Sequence, residues 1–410
     1  KSSNEEAFIA FEVASEGELE QVAQLLERFL LLGKKVELIY SSGSVQQKCD
    51  QWANKFSQNL RVFRLPLLSY SFFSGVLKGQ NLKTWITAKR LVLCRYDFYP
   101  ELLLYGASPD VSFYLLSATL KNKESSYRNN NFVKRWYYNS LYNLFEIIVP
   151  SSSEDIERFK QLGVSSASVK NNFDLRTVQI LKRLDNSQAK LKEITFFKHF
   201  ENSLKHIPPK RRIMLGSMYP QEMEIFDNPN FQDRIKSGDL FVTVAPHKLK
   251  PAFVGALIST VGHMVPVYLV SDNMEDSELD GIFKKMSQVP GLLIIAVPGI
   301  LCELYQFYGH IFVGGGHAGV AIHSVLEPFL AGGMIYCGPK IHRSTEYDLI
   351  KQKSSDSISV IDNLNRFYEI YVRQVDISSI QPRQIVEELK QTMSSDFDKV
   401  FAFLNTGHLC

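Results

Sequence analysis

Charge of one sign is missing from this 410-residue sequence: 46 Lys and Arg stand against 43 Asp and Glu, a formal charge of +3. A nucleic-acid binder needs a basic stripe or a clearly basic domain, so no nucleic-acid partner is expected. Cysteine is scarce as well. Cys49, Cys94, Cys302, Cys337 and Cys410 are odd in number and widely spaced, without CxxC or Cys/His ligand spacing. That excludes a disulfide framework and a structural zinc site, and points to buried thiols in a reducing compartment. Long apolar runs are also lacking. The longest stretch free of Asp, Glu, Lys and Arg runs from Pro251 to Ser271, and Ser259, Thr260 and His263 interrupt it. Gly262, His263 and Met264 look like a turn, so a buried helix followed by a buried strand is expected there, not a membrane span. The chain starts at a lysine without a charged-then-apolar leader, so a signal peptide is expected to be absent or already removed.

What is present is an ordinary globular balance, 45% hydrophobic and 22% charged. The length allows two or three domains, each able to bury a core unaided. Short apolar runs alternate with helical segments: FIAFEVA (8–14), VELIY (36–40), LVLC (91–94), VSFYLL (111–116) and FEIIV (145–149). The clearest helical periodicity runs from Glu16 to Leu32, where Leu19, Val22, Leu25, Leu26 and Phe29 share a face and Gly33 supplies the stop. After a polar stretch the alternation resumes with IMLG (213–216), LFVTVA (240–245), VPVYLV (265–270), LLIIAV (292–297), HIFVGG (310–315) and MIYCG (334–338). With no hairpin signal between adjacent runs, both halves are expected to be parallel sheets with right-handed crossovers. The expected fold class is therefore α/β, with two facing doubly wound domains: 1–185, a linker at 186–210, and 211–410. The last helical stretch, roughly Ile385 to Phe403, is a candidate to cross back to the first domain. Ligands in such sheets bind at the carboxyl ends of strands, in the cleft between such domains.

The strongest local signal is VGGGHAGVAIHSVLEP, Val313 to Pro328. It is expected as a strand, a glycine-rich turn and a helix holding His323 and Glu327 on one face. The amides of Gly315 and Gly316 are candidates to meet a phosphate, and Glu327 to bond ribose hydroxyls. It is neither GxGxxG nor GxxxxGKS, and a strand-to-helix turn with a structural carboxylate fits the same string. Glu18 follows the first strand at the start of the first helix, where a catalytic carboxylate would sit and where an acid also complements the helix dipole. Asp97 follows LVLC within Arg95-Tyr96-Asp97-Phe98-Tyr99-Pro100, either as a second acid or as a helix cap. His247 and Lys248 follow LFVTVA. Two aromatic and basic stretches, 65–85 and 128–145, suit a membrane interface, with Lys134, Arg135 and Trp136 in the second; a core helix with a solvated basic face gives a similar string.

Together these segments resemble the Kdo (3-deoxy-D-manno-octulosonic acid) transferases of lipopolysaccharide biosynthesis, glycosyltransferases of the GT-B fold. Ala14-Ser15-Glu16-Gly17-Glu18 resembles the family's Ala-Ser-Val-Gly-Glu, and Arg95 to Pro100 resembles Glu-Thr-Glu-Leu-Trp-Pro, with Arg95 reversing the charge of the first acid. Ser117-Ala118-Thr119-Leu120 stands where the family has Asn-Ala-Arg-Leu-Ser, whereas PSSSEDIERFKQLGV (150–164) matches Gln-Ser-x-x-Asp-x-x-Arg-Phe-x-x-Leu-Gly closely. Lys170 to Asp174 resembles Gly-Asn-x-Lys-Phe-Asp. In the second half, Gly216-Ser217 through Pro220 and Glu222 resembles Ala-Ser-Thr-His-Pro-x-Glu, and Ala245-Pro246-His247 resembles Pro-Arg-His without its arginine. Val313 to Pro328 resembles Gly-Gly-x-x-x-x-x-x-His-Asn-x-Leu-Glu-Pro with Ser324 in the asparagine position, and Gly338-Pro339 with Glu346 completes the order.

The resemblance implies an inverting transfer of Kdo from CMP-Kdo to a lipid A precursor at the cytoplasmic face of the inner membrane, without a metal or other cofactor. It gives Glu18 the role of base, with Asp97 as its partner. Ser217, His247, Lys248, Gly315, Gly316, His323, Ser324 and Glu327 are implied on the donor side; Arg95, Lys134, Arg135 and Trp136 are expected on the acceptor or membrane side. The departures at Arg95, Thr119 and Pro246 leave open a UDP-sugar transferase or epimerase on the same fold, or a silent sugar-nucleotide or lipid-binding protein.

Overall fold

The computed structural model describes residues 6–65, 85–95, 98–120, 132–341, 344–377 and 382–407. The chain divides into two compact units, Lys1–Gln179 with Met393–Cys410, and Ile180–Thr392. The last helix, Pro382–Thr406, therefore begins in the second unit and ends in the first. Residues 186–210, expected as a linker, instead form the helices Ser187–Lys192 and Phe197–Leu204 of the second unit. The polar composition there is that of solvated helix faces, while Leu191, Phe197, Phe200 and Leu204 are buried, with Phe200 against Phe241 and Phe307.

The first unit holds six strands, β1 (Ile9–Val13), β2 (Val36–Tyr40), β3 (Leu60–Arg64), β4 (Arg90–Cys94), β5 (Ser112–Ala118) and β6 (Ile147–Pro150), in the order β3-β2-β1-β4-β5-β6. The second holds β7 (Arg212–Met218), β8 (Phe241–Pro246), β9 (Val267–Ser271), β10 (Leu292–Ala296), β11 (His310–Val313), β12 (Met334–Cys337) and β13 (Ile358–Val360), in the order β13-β12-β11-β7-β8-β10-β9. All described pairings are parallel. Interior strands such as β1 and β10 are buried along their whole length, which is why they read as unbroken apolar runs. The strand order reverses between β1 and β4 in one unit and between β7 and β11 in the other, and those switch points are where α/β sheets open a crevice at their carboxyl ends.

Local sequence sets the entry to each crevice. Ser15 caps the first helix, Glu16–Leu31, by accepting from the Glu18 amide; the predicted face of Leu19, Val22, Leu25, Leu26 and Phe29 is buried, and Gly33 follows at φ +72°. Pro251 to Ser271 resolves into the helix Pro251–Val261 and strand β9, and among the described residues no helix is long and apolar enough to cross a membrane.

The PSSSEDIERFKQLG segment is structural. Ser152 caps the helix Ser153–Leu162, Gly163 ends it in the left-handed region, and Asp155 is fully buried. The Asp155 carboxylate accepts from Ser151 Oγ (3.0 Å), Ser152 Oγ (2.9 Å), the Leu120 amide (3.3 Å) and Arg158 Nη1 (2.7 Å). Asp155→Ala strands all of these donors, so the first unit is expected to lose about 3–5 kcal/mol of stability in urea unfolding. A loss below about 1 kcal/mol, the scale of an exposed pair, would contradict that placement.

Candidate active site

At the carboxyl end of β1, Glu18 is 4% exposed, and its Oε2 accepts from the Ala14 amide at 2.6 Å. With Ser15 it forms a variant of the Ser-x-x-Glu helix start, reaching one residue further back than the usual capping box. Cys94, at the end of neighbouring β4, donates to Gln21 Oε1 at 3.3 Å. Burial pushes the Cys94 thiol up, Glu18 adds to the push, Arg95 opposes it, and Asp174 and Glu12 act in the same sense as Glu18. Glu18, Arg95 and Asp174 therefore share one electrostatic neighbourhood. Burial raises the Asp174 carboxyl, but the Arg176 guanidinium (3.0 and 3.1 Å from Nε, 2.5 Å from Nη2) and Arg95 outweigh it and hold Asp174 below the usual range. Asp97 lies outside the described residues.

Backbone strain marks the same ends. Arg95 (φ +68°), Ser117 (+48°) and Ser217 (+56°) are non-glycine residues in the left-handed region, a conformation costing about 1–3 kcal/mol each. Arg95 directly follows β4, while Ser117 and Ser217 sit in register shifts near the ends of β5 and β7. The Ser117 hydroxyl accepts from the Leu175 amide at 3.0 Å. No sequence signal exposed these bulges, because serine carries no φ signature.

On the helix Phe132–Tyr142, the exposed side chains Phe132 (80%), Val133 (68%), Trp136 (62%) and Tyr137 (54%) recur at helical spacing, interleaved with Lys134 and Arg135. Arg135 donates to the Gln161 carbonyl at 2.9 Å. The stretch at 65–85 lies almost wholly outside the described residues.

In the second unit, the glycine turn is built differently from expectation. The amides of Gly315 (2.8 Å) and His317 (3.2 Å) donate to Glu222 Oε1, and the Tyr219 amide donates to Glu222 Oε2 (3.2 Å). Gly315 therefore does not present its amide to a phosphate; an internal carboxylate already holds it. The helix after the turn is short, Leu326–Leu330, so His323 precedes it and does not share a helical face with Glu327. Glu346 occupies that helix start, accepting from Ser324 Oγ (2.9 Å) and the amides of Val325 (3.0 Å) and Leu326 (3.1 Å). The glycines are needed for close packing: a Cβ on Gly316 would meet Gly338 Cα at 2.6 Å, and one on Gly315, at φ +108°, would meet the Ala321 carbonyl at 2.5 Å.

The structure does bring together His247 and His323, whose rings stack 4.3 Å apart, with Tyr219 stacked on His247 at 4.6 Å. Burial and the adjacent Lys248 lower His247; burial, then His247, pushes His323 down to about 4. Both imidazoles are neutral at pH 7, and His323 Nε2 is buried with no hydrogen-bond partner among the described residues. Lys248 is exposed. Glu327 is partly exposed, 3.8 Å from Arg183, which is itself locked to buried Glu303 (3.1 and 3.2 Å) alongside Lys190 (2.8 Å). Tyr219, Glu222, Glu346 and Arg183 were not singled out as site residues from sequence. Glu222 and Glu346 both carried a signal as members of the resembling segments, and Glu222 also as an acid at capping spacing after a strand end and Pro; Tyr219 and Arg183 carried none.

Residues 1–179 match the family described as 3-deoxy-D-manno-octulosonic-acid transferase (kdotransferase). The 3-deoxy-D-manno-octulosonic acid transferase of Chlamydia muridarum (strain MoPn / Nigg) is 26% identical over 295 residues, spanning 71% of this chain and 61% of that relative. Over 94% of this chain the structure resembles UDP-GlcNAc 2-epimerase from Methanocaldococcus jannaschii (99% of that chain, 10% identity, TM-score 0.56). It also resembles, over 95% of its length, UDP-GlcNAc 2-epimerase from Neisseria meningitidis bound to UDP-GlcNAc (100% of that chain, 10% identity, TM-score 0.54). These structural likenesses establish the fold alone, the paired doubly wound sheets of the GT-B class.

An unfolded histidine titrates near 6.5, above folded His323 at about 4, so the unfolded chain takes the proton first and stability drains as pH falls through that window. His310, also buried and near 4, acts in the same direction. His323→Gln is expected to shrink the loss of thermal midpoint between pH 7 and pH 5 without abolishing it; an unchanged loss would contradict the assignment.

Proposed function

We propose that this chain, whose residues 1–179 match the Kdo transferase family, is an inverting glycosyltransferase that moves Kdo from CMP-Kdo to a lipid A precursor at the cytoplasmic face of the inner membrane. The observation that carries the reading is the coincidence of the family match over residues 1–179 with Glu18 at the β1 switch point, where the chemistry needs a carboxylate. Glu18 accepts the proton of the acceptor hydroxyl as that oxygen attacks the anomeric carbon; the bond to the CMP phosphate breaks and configuration inverts. Arg95, Asp174 and Arg176 sit in the same charged neighbourhood and serve a polar acceptor headgroup.

On the donor side the neutral rings of His247 and His323 act as hydrogen-bond donors and as a stacking surface, not as cations. Lys248 supplies positive charge to the leaving phosphate, Gly316 and Ser217 remain donor-side candidates, and Glu327 is steered toward the ribose by Arg183. Ser324, tied to Glu346, holds the turn. The reaction as proposed needs no metal, and transfer is expected to persist in EDTA. The exposed Phe132, Val133, Trp136 and Tyr137, with Lys134 and Arg135, suit the headgroup layer of an anionic membrane.

Glu18→Gln keeps an oxygen for the Ala14 amide while removing the base. Its kcat should fall by about a hundredfold or more with CMP-Kdo affinity retained. Turnover within a few-fold of the parent would remove Glu18 from the mechanism. Flotation with vesicles containing phosphatidylglycerol should recover the parent chain and lose the Phe132→Glu/Trp136→Glu double variant; equal recovery of both would take this helix off the membrane.

A further inference from the structure

The first unit contains a cavity that the proposed transfer does not use. It has a volume of about 460 Å³, within the ~300–1,000 Å³ range of small-molecule sites. It opens at β6, the edge of the sheet, three strands from β1, or about 14 Å at the usual strand spacing. Ile147 and Val149 are alternate residues of β6 and lie on the face that Tyr114 shares by register, opposite the core that contains Ile148. The end of the last helix packs on that face through Phe403, whose ring meets Tyr114 edge-on at 5.2 Å. Phe403, Val400 and Phe173, together with Ile147 and Val149 of the edge strand, line the cavity.

The charges around this space are one-sided. Lys160, Lys170 and Lys399 line it against a single carboxylate, Asp396. Lys160 and Lys399 are exposed and Lys170 is half-buried, while Ile147, Val149, Phe173 and Phe403 are buried. Lys399 pairs with Asp396 (2.8 Å), and Lys160 pairs with exposed Glu157 (2.7 Å). Lys170 Nζ donates to the Ala167 carbonyl (2.6 Å) and has no carboxylate partner among the described residues. An apolar interior with one ammonium group, that of Lys170, left without a carboxylate at its mouth is complementary to a chain that is apolar along its length and anionic at one end.

We propose that this cavity binds a single unbranched alkyl chain with a terminal anion, its methylenes against β6 and the last helix and its head at Lys170. The site is independent of the proposed transfer. Calorimetric titration of the full chain with dodecanoate and with dodecyl phosphate, both below their critical micelle concentrations, should show one site per chain, and the tighter of the two identifies the head. Dodecyl maltoside, with the same chain and an uncharged head, should bind at least tenfold more weakly. Val149→Trp and Val400→Trp, which fill the space, should abolish binding at an unchanged thermal midpoint. Lys170→Glu, a half-buried position outside the core, should weaken binding tenfold or more and keeps the test open if a tryptophan variant fails to fold. No binding of either anion, equal affinity for dodecyl maltoside, or binding that survives Val400→Trp and disappears in Trp136→Glu would overturn the proposal.

Discussion

The glycine turn of the second unit depends on one carboxylate. Glu222 is fully buried, and burial raises it above the ordinary carboxyl range, yet three backbone amides converge on it and partly offset that rise. It ties the end of β7 to the turn after β11, the two strands at the switch point, and so fixes where Tyr219, His247 and His323 stack. Glu346 does the same for the short helix Leu326–Leu330, and Glu18 for the turn after β1. In each case an internal acid sits where a helix start or glycine turn would otherwise attract an external anion. On the proposed reading, a donor phosphate would then be met mainly by side chains, for which Lys248 and the His247–His323 pair are the candidates.

The second constraint comes from parallel strands buried on both faces. Their residues are committed to packing, so chemistry is confined to the few positions after each strand. The left-handed backbone of Arg95 falls there and that of Ser117 and Ser217 in the last residues of their strands, which is the pattern expected when strain is held by a rigid sheet and used to aim side chains or amides.

Much of this was legible beforehand. VELIY coincides with β2, and the helix expected over Glu16 to Leu32 is observed as Glu16–Leu31, because apolar spacing and a capping serine report local geometry directly. The missed strands β3 and β13 are sheet edges; LRVFR carries two arginines, and ISV is only three residues long, so neither shows the unbroken apolar run of an interior strand. The glycine string was rightly placed after a strand, but its function as a phosphate cradle was not legible, because the acid that fills it, Glu222, lies about ninety residues earlier in the chain. Polar residues 186–210 were mistaken for a linker because composition averages over faces, and the buried Leu191, Phe197 and Phe200 were outvoted by their solvated neighbours.

Nucleotide choice separates a Kdo transferase from other users of the same fold. Calorimetric binding of CMP to the intact chain, compared with UDP, GDP and ADP, addresses it most directly. Selective CMP binding, weakened by His247→Ala or Lys248→Ala, is the predicted result. Preference for UDP would keep the fold and overturn the donor, and absence of nucleotide binding would contradict the transferase reading altogether.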